Sequence, residues 1–430
     1  MISSPDIFMT QDAAAKIAAS SSDHGKLSFI HNVAEDFYRI NVVEIGPGVR
    51  SPVVIPPPYE VLRWDGIGYE GHWLKRVSDY VNLMHRDLLQ RPTQSLSLDE
   101  FRSHVPEAVD PGSQTGLLIT YDSNISEELR EFGVTEYAGW LVQREGVRPI
   151  DLVLEPAEIG IQQLAGLWPI SELALASVAL VGCGSIGGAA AEALARFGVG
   201  TVHLIDPDRL RWHNILRHIL GPESVGSHKA SALSRELTKR WPGQDFRAHK
   251  VDVVTSAHEI RPIFGDVDLI ICTADGIAAR RVVSHLARRA RTPAVLACVL
   301  DNGAVGEVIR FRPTPTFGCL LCLRAELESS GSIDAEAIQE LDYGTGQVHL
   351  PMTAVPPDLH FVGALAAKVA VATLLESLHG DHTQRVPNEY AILGLRPSGD
   401  LAPPFDLDRA GSITWRSLPA PRAKCPTCNP

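Results

Sequence analysis

The chain has 430 residues, 45% of them apolar, enough to bury the cores of two or three domains. Its formal net charge of −12 leaves no electrostatic case for binding nucleic acid or an anionic membrane. The start, MISSPDIFMTQDAAAKIAASSS, lacks a basic stretch followed by an apolar run, and no apolar run approaches membrane-spanning length, so the expected compartment is the cytoplasm.

Residues 1 to about 165 are punctuated by proline and glycine, in GPGVRSPVVIPPPYE and again in HVPEAVDPGSQTG. Between these breakers lie strand-like runs, RINVVEIG and GLLITYD. One stretch, HWLKRVSDYVNLMHRDLLQ, carries apolar residues at helical spacing. The region reads as a separate N-terminal α+β domain, 1–165. It contains no cysteine, and His24, His31, His72, His85 and His104 show no ligand spacing. An accessory domain that recruits or positions a partner is the expectation.

From about residue 166 to the end, apolar strands alternate with helices. SVALVGC, TVHLID, FRAHKVDV, VDLIICTAD, PAVLACVL and GEVIRFRP read as strands. GGAAAEALARFG, SHKASALSRELTKRW, GIAARRVVSHLARRAR and the later DLHFVGALAAKVAVATLLESL read as helices. Continuous apolar strands joined by helices predict an α/β fold with a doubly wound, mostly parallel, Rossmann-like sheet. In the third of those helices Arg280, Arg281, Arg288, Arg289 and Arg291 are expected to form the wet face.

Gly182, Gly184 and Gly187 form GxGxxG between the first of these strands and its helix. The first permits a tight turn, the second lets backbone approach phosphate, and the third lets helix pack on strand. Asp206 ends the next strand, where a carboxylate can bond a ribose hydroxyl. The motif specifies a nucleotide without saying which, and taken alone would indicate an NAD-dependent oxidoreductase. The run DPDRLRWHNILRHIL then adds Asp208, Asn214, Arg217 and His218; Lys229 and Asp275 follow in GSHKA and CTAD. A hydride-transfer enzyme leaves an Asn–Arg–Lys set idle. A triphosphate site uses it, with Arg and Lys neutralising the departing pyrophosphate and an aspartate holding Mg²⁺. Each residue has a plainer reading: Arg217 pairing with Glu223, Lys229 solvated, Asp275 capping a helix.

All seven cysteines follow residue 180, and four form two CxxC pairs, Cys319/Cys322 and Cys425/Cys428. Two such knuckles fit one closed, tetrahedral S₄ site of the kind structural Zn²⁺ takes. Cys298 stands at the end of AVLAC, at a carboxyl strand edge where ligands approach in this fold, and is the candidate for a covalent role against the plainer reading of a core cysteine.

From about Ala165 onward the chain resembles the ThiF/MoeB/HesA family of ubiquitin-activating (E1-like) adenylyltransferases. The matching pieces are GCGSIGG, IDPDRLRWHNILRH, GSHKA, CTAD and the two CxxC pairs. The resemblance implies ATP at the glycine turn and Asp206, phosphate contacts from Asn214, Arg217 and Lys229, Mg²⁺ at Asp275, and the same zinc site. It implies adenylation of the C-terminal carboxylate of a ubiquitin-like protein or peptide, a homodimer, and onward transfer to a conjugating or sulfur-transfer protein. Two positions depart from the family pattern. His218 stands where Gln is usual, and EIGIQQLAGLWPISELALAS lacks the arginine that often precedes the first strand. These departures keep a non-catalytic partner-binding or leader-peptide-binding module as an alternative. Family members that form a thioester usually carry its cysteine in the crossover after the first CxxC; residues 323–358 contain none and are read as a loop threading over the substrate tail.

Overall fold

The computed structural model describes residues 5–57, 59–75, 79–91, 93–108, 116–156, 160–332, 354–396 and 401–429. The chain divides into two compact units, Met1–Ile159 and Gly160–Pro430.

Among the described residues the first unit has nine strands: β1 (Asp6–Met9), β2 (His24–Asn32), β3 (Phe37–Gly46), β4 (Val49–Pro52), β5 (Ile67–Lys75), β6 (Gly116–Tyr121), β7 (Tyr137–Gln143), β8 (Gly146–Ile150) and β9 (Leu152–Leu154). They lie in the order β8-β7-β6-β5-β2-β3-β1-β9, with β4 on β3. Helices α1 (Gln11–Ala19), α2 (Asp79–Leu89), α3 (Leu98–His104) and α4 (Glu127–Glu131) complete it. Thr10 starts α1 by accepting the N–H of Ala13 through its hydroxyl. Ile7, Phe29 and Trp73 pack with α1 on one face of the sheet, and Val81, Phe101 and Trp140 form the core on the other. The helix expected from His72 starts later. His72–Lys75 extend β5 in parallel register with Leu118–Tyr121, because Trp73 and Leu74 bury on opposite faces, a period of two that overrides the helical spacing.

The second unit contains β10 (Ser177–Val181), β11 (Thr201–Ile205), β12 (Asp245–His249), β13 (Leu269–Cys272), β14 (Ala294–Leu300), β15 (Val305–Phe311), β16 (Tyr390–Gly394) and β17 (Ile413–Arg416). Their order is β12-β11-β10-β13-β14-β15-β16-β17. The pairs from β12 to β14 are parallel and those from β14 to β17 antiparallel. This is the doubly wound arrangement, extended at one side by an antiparallel ribbon. Helices α5 (Ile170–Ala174), α6 (Ser185–Phe197), α7 (Lys229–Arg240) and α11 (Pro356–His379) share one apolar core with Val178, Leu180 and Leu204. Helices α8 (Ala257–Asp266), α9 (Ile277–Ala290) and α10 (Leu320–Ser329) share the other with Ala179, Val181 and Ile270.

Helix α11 is long and apolar enough to cross a membrane, contrary to the reading that no run reaches that length, yet 61% of its most apolar window is buried. It packs along α6 through small residues: a Cβ on Gly363 would lie 2.4 Å from the carbonyl of Ile186. Its hydrophobicity is that of a core helix.

Candidate nucleotide site and metal centre

The chain leaves β10 toward β11 on one side and later returns to β13 on the other, so the carboxyl ends of β10 and β13 form a topological switch point. The glycine motif occupies this crevice. Gly182 ends β10 with φ +92°, and a Cβ there would lie 2.7 Å from the amide nitrogen of Ala274. The Thr273 hydroxyl donates to the Gly182 carbonyl at 2.6 Å. Gly187 presses on the same carbonyl, 1.8 Å from where its Cβ would stand, whereas Gly184 faces open space. Gly184 is also the N-cap of α6 and offers that helix no side-chain cap, leaving its first N–H groups and positive dipole end suited to an anion.

Asp206 follows β11 and is 5% exposed. Its two oxygens accept the backbone N–H groups of Cys183 at 2.7 Å and Asp208 at 2.8 Å, so the carboxylate holds the glycine turn in shape. Burial raises its pKa, opposed by Lys229 and those two N–H groups. Lys229 opens α7 and donates to Asp208 at 2.9 Å. Burial disfavours its charge, but the carboxylates of Asp206, Asp208 and Asp275 outweigh burial and raise its pKa. Lys229 therefore sits in the field of three acids gathered from the ends of β11 and β13.

Asn214 is buried and accepts the Arg211 N–H at 2.9 Å, fixing the 3₁₀ turn Trp212–Asn214 that precedes Arg217. Arg217 is half-buried, and His360 of α11 donates to its carbonyl at 3.0 Å. His218 is buried: its Nδ1 accepts the Leu220 N–H at 3.1 Å, so Nε2 carries the proton and donates to the Cys183 carbonyl at 2.7 Å. Burial lowers its pKa to about 4, and the ring is neutral at pH 7. Asp275 is exposed beyond β13, and Gly276, not Asp275, is the N-cap of α9.

The four knuckle cysteines converge far along the chain. Their sulfurs lie within 4.8 Å of one another, with Cys319–Cys425 at 3.5 Å and both Cys319–Cys322 and Cys322–Cys428 at 4.0 Å. A tetrahedral ion with Zn–S near 2.3 Å requires sulfurs about 3.8 Å apart, so the donor set fits zinc. The Arg422 N–H donates to Cys322 Sγ at 3.4 Å, an outer-shell bond that orients a thiolate. The cluster is built into the body: Leu320 N–H donates to Ser284 Oγ at 3.2 Å, and His285 and Thr427 are bonded at 3.1 Å.

Residues 160–397 match the family model of the ThiF family. The chain belongs to the ThiF family. Three relatives are similar over parts of it. "Uncharacterized protein y4oA" of Sinorhizobium fredii is 28% identical over 363 residues, 73% of this chain and 61% of that protein. "ATP-dependent ubiquitin transferase-like protein Cap2" of Pseudomonas aeruginosa is 40% identical over 269 residues, 60% of this chain and 43% of that one. "Sulfur carrier protein ThiS adenylyltransferase" of Bacillus subtilis is 32% identical over 150 residues, 34% and 44% of the two chains. This chain thus spans less than two thirds of the length of each.

Gly182, Gly184, Gly187, Asp206, Asp208, Lys229 and Asp275, expected from the sequence to lie together, converge on one crevice. Three features differ from the sequence reading. Cys298 does not close its strand: β14 continues to Leu300, and the thiol is 4% exposed, between Arg280 at 3.4 Å and Glu307 at 3.5 Å. That placement matches the core reading and is closed to a polypeptide tail without backbone movement. Arg280 is not part of a wet face; it is fully buried and donates to the Asp275 carbonyl at 2.6 Å. Its position three residues after Ile277 and three before Val283, on the apolar face of α9, was the available signal. Thr273 clamps the glycine turn, a role no motif announced. The crossover read as threading over the substrate tail falls, for residues 333–353, outside the described residues.

Proposed function

We propose that this protein adenylates the C-terminal carboxylate of a ubiquitin-like protein or peptide. A carboxylate oxygen attacks the α-phosphorus of ATP, pyrophosphate leaves, and an acyl-AMP remains. The observation that carries this reading is the gathering of Asp206, Asp208, Lys229 and Asp275 around the glycine turn, where a dinucleotide site needs only the first. The α6 N-terminus receives phosphate in the open space beside Gly184. Lys229 and Arg217 neutralise charge as pyrophosphate departs, and Asn214 fixes the segment that presents Arg217. Mg²⁺ suits the exposed carboxylate of Asp275, since this ion takes one or two protein carboxylates beside phosphate oxygens, and it would neutralise phosphate charge there. The Cys319, Cys322, Cys425 and Cys428 set holds Zn²⁺ as a closed structural site.

Onward transfer passes directly to a thiol, sulfur donor or amine on another protein. The supports are a crossover without cysteine and the burial of Cys298. Residues 1–159 dock the partner, and the protein works as a homodimer; its ThiF-family membership supports the dimer.

Ligand-induced thermal stabilisation tests the reading. ATP with Mg²⁺ at about a hundred times its dissociation constant stabilises by about 2.7 kcal/mol. Asp275→Ala removes the part of this shift that depends on Mg²⁺. Stabilisation by NAD in place of ATP would overturn the proposal, and pyrophosphate exchange dependent on a Gly-ended protein or peptide would identify the acyl substrate.

A further inference from the structure

Beneath the Asp275 turn lies a group of charged side chains that the proposed chemistry does not use. Arg280 and Glu307 are fully buried, Tyr390 is 1% exposed and Arg324 is 8% exposed. Glu307 accepts both terminal nitrogens of Arg324, at 2.9 and 2.5 Å, together with the hydroxyl of Tyr390 and the thiol of Cys298. Arg280 donates to Cys298 at 3.4 Å; burial pushes the Glu307 carboxyl up, but Arg324 above all, then the Tyr390 hydroxyl and the charge of Arg280, hold it below the usual range. The same guanidinium then reaches outward to the Asp275 carbonyl at 2.6 Å. Burying two arginines and a glutamate is expensive, and apolar residues of similar volume commonly serve stability as well or better. A rigid guanidinium fork bridging a buried thiol and one backbone carbonyl fixes a loop in space, which an apolar side chain cannot do.

We propose that Arg280 is a positioning residue for Asp275: anchored on the Cys298–Glu307 side, it sets the turn so that the Asp275 carboxylate meets the cation that accompanies ATP. This rests on the adenylation reading above and adds a residue to it. Arg324 sits two residues after Cys322 on α10, so the anchor is continuous with the helix that carries the first zinc knuckle.

The test titrates Mg²⁺ at fixed ATP on the full chain and reads thermal stabilisation. Arg280→Gln removes a buried cation beside Glu307, so Arg280→Lys, which keeps that charge, is the principal variant, and Cys298→Ala withdraws one contact without changing charge. Zinc content and circular dichroism report the fold of each. Arg280→Lys is expected to need about tenfold more Mg²⁺ for half-maximal stabilisation, with its affinity for ATP in EDTA unchanged. Asp275→Asn should match it, and the double variant should be no worse than either alone, as for two residues acting through one group. Cys298→Ala should fall between. The exposed Arg281→Gln should titrate like the parent. A folded Arg280→Lys or Cys298→Ala protein with the parental Mg²⁺ requirement overturns the role of Arg280 and leaves adenylation standing. A parent chain that ATP does not stabilise at any Mg²⁺ concentration overturns adenylation, and this inference with it.

Discussion

His218 acts as a neutral linker, donating to one backbone carbonyl and accepting one backbone N–H. Its folded pKa, about 4, lies below the ordinary 6.5. The folded state therefore disfavours the charged ring. The corresponding stability is complete above pH 6.5 and is lost as pH falls toward 4. From pH 7 to pH 5 this amounts to about 2 kcal/mol. His218→Gln, which cannot titrate, should lose about that much less stability between the two pH values in urea unfolding; equal losses would show that the ring does not titrate as described. His203, also near 4, is common to both proteins and cancels. Asp206 has a comparable backbone role. Asp206→Ala leaves the Cys183 and Asp208 N–H groups without their acceptor and should cost about 2–4 kcal/mol in the absence of any nucleotide. A purely ligand-binding carboxylate would show its effect only with ATP present.

The strand–turn–helix unit of β10 and α6 divides its labour among glycines, and alanine separates the parts. Gly187→Ala drives a methyl into the Gly182 carbonyl and the Thr273 hydroxyl, and should destabilise the chain by about 3 kcal/mol. Gly184→Ala meets nothing in the protein, so its effect on unfolding should stay within about 1 kcal/mol while stabilisation by ATP is lost. The two variants thus dissociate folding from binding in one motif. Elsewhere in the second unit, the zinc knuckles join α10 to residues 425–428. One equivalent of zinc should be found by elemental analysis. Cys425→Ser or chelation should release the tail, seen as faster trypsin cleavage after the exposed Arg422 and Lys424. Unchanged cleavage would mean that packing, not metal, holds the tail.

The contacts separate Met1–Ile159 from Gly160–Pro430, each with its own sheet and cores. A chain beginning at Gly160 should fold and keep its ATP–Mg²⁺ stabilisation, because every residue assigned to the nucleotide and zinc sites lies in the second unit. The same truncation should abolish binding of the protein partner. Partner affinity equal to that of the full chain would remove the docking role from the first unit.

Local chemistry was legible in the amino-acid order wherever a function depends on near neighbours. GxGxxG between a strand and a helix, an acid at the end of the next strand, and thiols two residues apart each impose spacing that folding does not alter. The alternation of apolar strands with helices likewise specified the doubly wound half of the second sheet. What only the tertiary structure decided concerns which face a residue presents and what stands across from it. Arg280 reads as one more solvated arginine until α9 packs and turns it inward against Cys298 and Asp275. Cys298 reads as a strand end until β15 pairs with β14 and places Glu307 opposite it. His72–Lys75 follow a helical spacing until neighbouring strands make a period of two the better burial. In each case the partner is distant in sequence, and burial is a property of the assembled layers rather than of the residue.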